Sequence, residues 1–109
     1  MNQDDFNLVT EARIDKLRTG LAVKGAEYAP VDKLSNFKKA ALFRGITPED
    51  ALMGMVIKHI TALDDFIGDL TKGSTITGEE YKKWDEKIGD TMAYGVLLDG
   101  LIVERMNND

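Results

Sequence analysis

The chain has 109 residues, 43% hydrophobic and 30% charged, with a net charge of −5 and no cysteine. This length predicts one domain with a single modest core, and the lack of cysteine excludes disulfides and thiolate metal centres. The acidic balance argues against non-specific nucleic-acid binding, which needs a basic footprint.

Residues 1–13 show no basic leader followed by an apolar run, so a signal peptide is not expected. No apolar run approaches the ~20 residues that span a bilayer. The expectation is a cytoplasmic protein without a membrane partner. A first helix is predicted from Asp4 or Asp5 to Val23, because Phe6, Val9, Arg13, Leu17 and Leu21 recur at spacings of three and four. Arg13 is the polar exception in that stripe, and Gly20 weakens its end. The segment KGAEYAP, residues 24–30, reads as a break, since Pro30 disfavours helix at Ala29.

A second helix fits residues 32–44, with Leu34, Phe37 and Ala41 inward and Gly45 as terminator. The third, residues 47–70, opens with Thr47 as N-cap, Pro48 at the first position, and the acids Glu49 and Asp50. Leu52, Met55, Val56, His59, Leu63, Phe66, Ile67 and Leu70 form its apolar stripe, which Met53, Ile57 and Ile60 widen. A helix apolar around most of its circumference belongs inside a bundle or between subunits.

TKGSTITG, residues 71–78, is a loop, and Thr77 with Glu80 has capping-box spacing. The fourth helix is predicted to reach about Glu104, roughly 40 Å at 1.5 Å per residue. Its main stripe is Trp84, Ile88, Thr91, Gly95, Leu98 and Ile102, flanked by Tyr94, Leu97 and Leu101. Gly89, Gly95 and Gly100 cost helix propensity and point to close approach of another helix, while residues 106–109 are expected to fray. No segment alternates with period two. The prediction is an all-α four-helix bundle completed by oligomerisation, as a homodimer or homotetramer.

Glu86, Asp90, Tyr94, Leu97 and Leu101 share one face of the fourth helix. Two carboxylates one turn apart and facing inward make a half-site for a hard cation such as Mg²⁺. For Glu86 alone the competing reading is a solvated acid. His59, the single histidine, lies on the apolar face of the third helix, as a core residue or a ligand contact. Lys58 turns about 100° away from it, toward either the helix-four carboxylates or a phosphate.

The break segment supplies Lys24, Glu27 and Tyr28. An amide at Asn36 and a ring at Phe37 suit the edge and face of a nucleobase; the plainer alternative puts Phe37 in the core and Asn36 on the surface. Lys24, Lys33, Lys38, Lys39 and Arg44 cluster against only Glu27 and Asp32, whereas the C-terminal half is acidic. Such asymmetry suits a phosphate–metal ligand, or else two solvated faces.

The stretches KGAEYAPVDKLSNFKKAA, ALMGMVIKHITALDD and WDEKIGDTMAYGVLLDGLI occur in this order and cover about half the chain. Together they resemble short MazG-like proteins, many of them phage-encoded, whose pattern is KGxEYA, LxNF, GMxxKH and EKxGDxxxY. The resemblance implies a MazG-like bundle and an all-α nucleoside triphosphate pyrophosphohydrolase. Such enzymes cleave between the α and β phosphates with Mg²⁺ held by carboxylates, and many are dimers or tetramers.

Carried onto this sequence, it implies Glu86, Asp90 and Glu27 as metal ligands, with Lys24, Lys38 and Lys58 on phosphate. Tyr28, Asn36, Phe37, His59 and Tyr94 would complete the substrate pocket. If the chain is phage-encoded, its compartment is the host cytoplasm. The sequence departs from the family at the metal motif. The usual EExxE is absent, Glu86 and Asp90 stand four apart rather than three, and Ala93 precedes Tyr94 where asparagine is common. Two alternatives therefore accompany the enzyme: a relative that binds or sequesters a nucleotide without cleaving it, and a helical protein-interaction module.

Overall fold

The computed structural model describes residues 1–28, 32 and 34–108, the side chains of residues 24–28 excepted. Four helices follow one another, α1 (Gln3–Tyr28), α2 (Ser35–Arg44), α3 (Pro48–Thr71) and α4 (Gly78–Asn108). No strand occurs among the described residues. α3 packs along both α4 and α2, whereas α1 rests on α4.

The α2–α3 corner is built by local chemistry. Gly45 ends α2 in the left-handed region (φ 67°, ψ 35°) and donates its amide to the Ala41 carbonyl. Thr47 is extended, and its hydroxyl accepts from the Asp50 amide at 3.1 Å, with Pro48 opening α3 behind it. Glu49, in the first turn, receives a two-pronged grip from Arg105 of α4 at 2.9 and 2.8 Å. That contact locks the two helix ends together and holds the Glu49 carboxyl below its ordinary pKa.

Three boundaries differ from expectation. α1 continues through Tyr28 instead of stopping at Val23, since Lys24, Ala26 and Glu27 favour helix and Pro30 restricts only the residue before it. α2 starts at Ser35 rather than Asp32. Asp32 serves as the lead-in, its carboxylate accepting from the Leu34 amide at 2.9 Å and its carbonyl from the Ser35 amide at 3.1 Å. α4 does not fray after Glu104 but runs to Asn108, with Arg105 favourably placed at the negative end of the dipole. At its other end Thr77 accepts from the Glu80 amide at 3.3 Å, as the capping spacing predicts.

The core sits where α2, the first half of α3 and the second half of α4 meet. Leu34, Phe37, Leu52 and Leu101 form its centre, with Val56, Tyr94, Leu97 and Leu98 packed against it. Gly100 faces this packing, where a Cβ would meet both Leu34 methyls at 3.7 Å, an ordinary contact. The buried line of α4 is thus the flank carrying Ala93 and Leu101, while Gly95 and Ile102 face outward. The reason is that α2 and α3 cover only that flank.

Much apolar surface is left over. Met53, Ile57, Ile60 and Ile67 of α3 are exposed, as are Met92, Val96, Ile102 and Val103 of α4 and Phe6 and Val9 of α1. The surface area is 7947 Å², against roughly 6,000 Å² for a folded monomer of this mass. The radius of gyration is 16.4 Å, where about 13 Å is ordinary for this length. No helix among the described residues is long and apolar enough to cross a membrane.

Candidate functional site

Midway along α3 and α4, packing brings His59 against Asp90 and Tyr94. The His59 Nδ1 lies 3.6 Å from Asp90 Oδ2, and the two side chains are only 18% and 21% exposed. That separation is too long for a hydrogen bond but forms an ion pair whenever the imidazole is protonated. Nδ1 is itself buried without a hydrogen-bond partner. The Tyr94 ring stands beside the imidazole, 5.3 Å between centroids, and meets the Phe37 edge at 6.3 Å and 71°. Its hydroxyl points to the Met55 sulfur at 3.9 Å. Glu86, one turn before Asp90, is exposed.

The α1–α4 seam closes the other side. Arg13 Nη2 lies 2.6 Å from Asp85 Oδ1, and Lys16 Nζ reaches the same oxygen at 3.0 Å. Arg13 Nη1 also donates to the Asp85 main-chain carbonyl at 3.2 Å. The Lys16 bond above all, with help from the Arg13 bond and the two positive charges, holds the Asp85 carboxyl below its ordinary pKa against the opposing effect of burial. Gly89 makes room for this cluster, since a Cβ there would stand 3.4 Å from Arg13 Nη1. A cavity of about 250 Å³ runs along the seam, and Arg13, Lys16, Asp85, Glu86, Gly89 and Asp90 all line it.

The remaining candidates are dispersed. Lys38 bridges Asp32 at 2.8 Å and Glu104, and the Asp32 bond leads in raising its pKa. Glu104 lies fourteen residues beyond Asp90, roughly 21 Å along the helix, so Lys38 is a strut at the far end of α4. Phe37 is buried at 6% exposure with its edge on Tyr94, and Asn36 is exposed. These two do not form a ring-and-amide pair, and the plainer reading of them holds. Lys58 is exposed on α3 with no ion pair among the described residues. The side chains of Lys24, Glu27 and Tyr28 lie outside the described residues.

Sequence reasoning missed Arg13, Lys16 and Asp85. The available signal was Arg13 itself, a charge in an apolar stripe, with Lys16 one turn on. A second cavity, about 240 Å³, lies at the α3–α4 corner beneath the Phe66–Trp84 ring pair. It shares no residue with the seam.

Among the described residues, no three of His, Asp and Glu converge as a closed metal cage. A hard ion such as Mg²⁺ needs no such cage, because it keeps several waters and is commonly held by one or two carboxylates plus phosphate oxygens. Glu86 and Asp90, one turn apart on a single cavity, fit that donor set. Compared with protein families, with curated proteins and with solved structures, the chain gives no match.

Proposed function

We propose that the chain is a Mg²⁺-dependent nucleotide pyrophosphohydrolase of the MazG-like kind, acting in the cytoplasm. The observation that carries this reading is the pair Glu86 and Asp90 lining one cavity of about 250 Å³, with His59 behind Asp90 on the α3 side. Glu86 and Asp90 would hold the ion, with Glu27 as a third carboxylate implied by the resemblance. Bound there, Mg²⁺ supplies charge neutralisation on the phosphates and activation of water. His59 backs the Asp90 carboxylate from α3 at 3.6 Å, and the resemblance would put Tyr94 on the sugar or base side. The resemblance would add Lys24 and Lys58 on the phosphate side. Asp90→Asn tests the assignment: metal-dependent release of pyrophosphate from a nucleoside triphosphate should be lost while helix content is retained. Intact turnover in that variant would remove Asp90 from the site.

Two observations favour a second reading, a binder that does not cleave. α3 carries Lys58 and His59 where related enzymes carry an acidic run, and of the three carboxylates lining the seam one, Asp85, is already held by Arg13 and Lys16. Nucleotide-dependent stabilisation without product would establish it.

Self-association belongs to the same proposal. Met53, Ile57, Ile60 and Ile67 are exposed at spacings of four, three and seven, the seam of a packed helix pair. The surface excess over an ordinary monomer is more than the ~800 Å² per partner of a standard interface. A homodimer or homotetramer would bury it. Without such burial, and without any nucleotide response, the same faces would mark a helical interaction module.

A further inference from the structure

We propose that Arg13 and Lys16 form the phosphate-gripping pair of the α1–α4 cavity, with the Asp85 carboxylate keeping their place when no ligand is bound. The inference rests on the nucleotide reading above and extends it to residues that neither the sequence pattern nor the resemblance singled out.

Three observations support it. Both cations converge on one oxygen, Asp85 Oδ1, at 2.6 and 3.0 Å. One carboxylate oxygen thus occupies the point where two positive side chains meet, the arrangement a phosphate oxygen would take. The Arg13 side chain is only 15% exposed and lies over Gly89, so its fork is held in place rather than waving in solvent. Five N–H donors on a guanidinium and three on an ammonium exceed what a single carboxylate can use, leaving donors for an incoming anion. Finally, the cations share their cavity with Glu86 and Asp90, so one ligand can touch both groups.

The charge balance makes the idea specific. Among the described residues, Arg13 and Lys16 share the cavity with Asp85, Glu86 and Asp90, so carboxylates outnumber cations in its lining and disfavour a free anion. A divalent cation on Glu86 and Asp90 reverses that balance. The ligand class that fits is therefore a diphosphate or longer chain chelated to Mg²⁺, not a free phosphate. Lys16 also stands beside the Tyr81 ring, 5.7 Å from its centroid, while it holds Asp85.

The test is titration of the whole protein with inorganic pyrophosphate, with and without Mg²⁺, followed by titration with a nucleoside triphosphate. Wild type should bind pyrophosphate only with Mg²⁺. Arg13→Gln and Lys16→Gln should each weaken binding by about tenfold or more, the scale of a lost charge-assisted hydrogen bond. Asp85→Asn should strengthen binding, since it removes the internal competitor. A strut that merely pins α1 to α4 predicts otherwise. Lys16→Gln, at an exposed and readily tolerated position, would leave affinity unchanged, and Asp85→Asn would not tighten it. Either result overturns the proposal. If the triphosphate binds equally well to wild type and both cation variants, the nucleotide reading stands and the grip falls. If pyrophosphate shows the expected pattern but no triphosphate binds, the grip stands and the nucleotide reading falls. Failure of wild type to bind either ligand overturns both.

Discussion

Asp85 carries more electrostatic work than any other carboxylate on the α1–α4 seam, and its consequence is readable in pH. Lys16 first and Arg13 second hold its pKa below the unfolded value, which is about 3.9. Such a group stabilises the fold above the unfolded pKa and loses that contribution as pH falls through the folded one. Asp32, lowered mainly by Lys38, and Glu49, lowered mainly by Arg105, act in the same direction. Thermal midpoints should therefore drop as pH falls below about 4. The difference between wild type and Asp85→Asn should be largest near neutrality and shrink toward about pH 2, where both chains carry an uncharged side chain. A constant difference across that range would mean that Asp85 acts through packing alone. Asp90 differs in kind. It faces His59 at 3.6 Å across the α3–α4 packing, and as a proposed ligand of the ion its loss should show above all in ligand response.

At the scale of single helices, capping and glycine positions make the sharpest predictions. Thr47→Ala removes the hydroxyl that accepts from Asp50 and should cost about 1 kcal/mol in denaturant unfolding. Gly89→Ala should instead give a small gain, less than the ~1 kcal/mol of helix propensity, because Arg13 Nη1, 3.4 Å from the new methyl and bonded to Asp85, must shift slightly. A loss there would mean that Arg13 cannot yield. These features were legible in the sequence because they are local: Gly45, Thr47 and Pro48 act through their own backbone and their neighbours'. The all-helical content was legible from periodicity for the same reason.

What was not legible depends on partners distant in the chain. Lys38 looked like a phosphate lysine until Glu104 was brought beside it. Arg13 looked like a defect in a stripe until Asp85 and Gly89 arrived from α4. Phe37 and Asn36 are adjacent in sequence, but the rotation of about 100° per helical residue sends the first into the core and the second to solvent. His59 and Asp90 were singled out separately for facing inward, and the packing of α3 on α4 is what made them neighbours.

For the molecule as a whole, the disproportion between helix and core decides the outlook. Four side chains centre the core, while Ile57, Ile60, Val96 and Ile102 lie exposed on the two longest-packed helices. A chain with this much apolar area in water is expected to associate. Sedimentation equilibrium should give a dimer or tetramer for wild type, and Ile57→Lys with Ile60→Lys should reduce it toward monomer with a lower melting midpoint. A wild-type monomer at high concentration would refute the assembly and leave those faces for another partner.

The seam of Glu86, Asp90, Arg13 and Lys16 brings carboxylates suited to a hard cation and cations suited to phosphate into one cavity. The most direct measurement of what it serves is a thermal-shift screen of nucleoside triphosphates with and without Mg²⁺, with pyrophosphate read in the same wells. A ligand at ~100-fold excess over its dissociation constant adds about 2.7 kcal/mol to stability, a shift that is easily seen. The predicted result is stabilisation that requires Mg²⁺, accompanied by pyrophosphate release and abolished in Asp90→Asn. No shift with any triphosphate, with or without Mg²⁺, would contradict the nucleotide site.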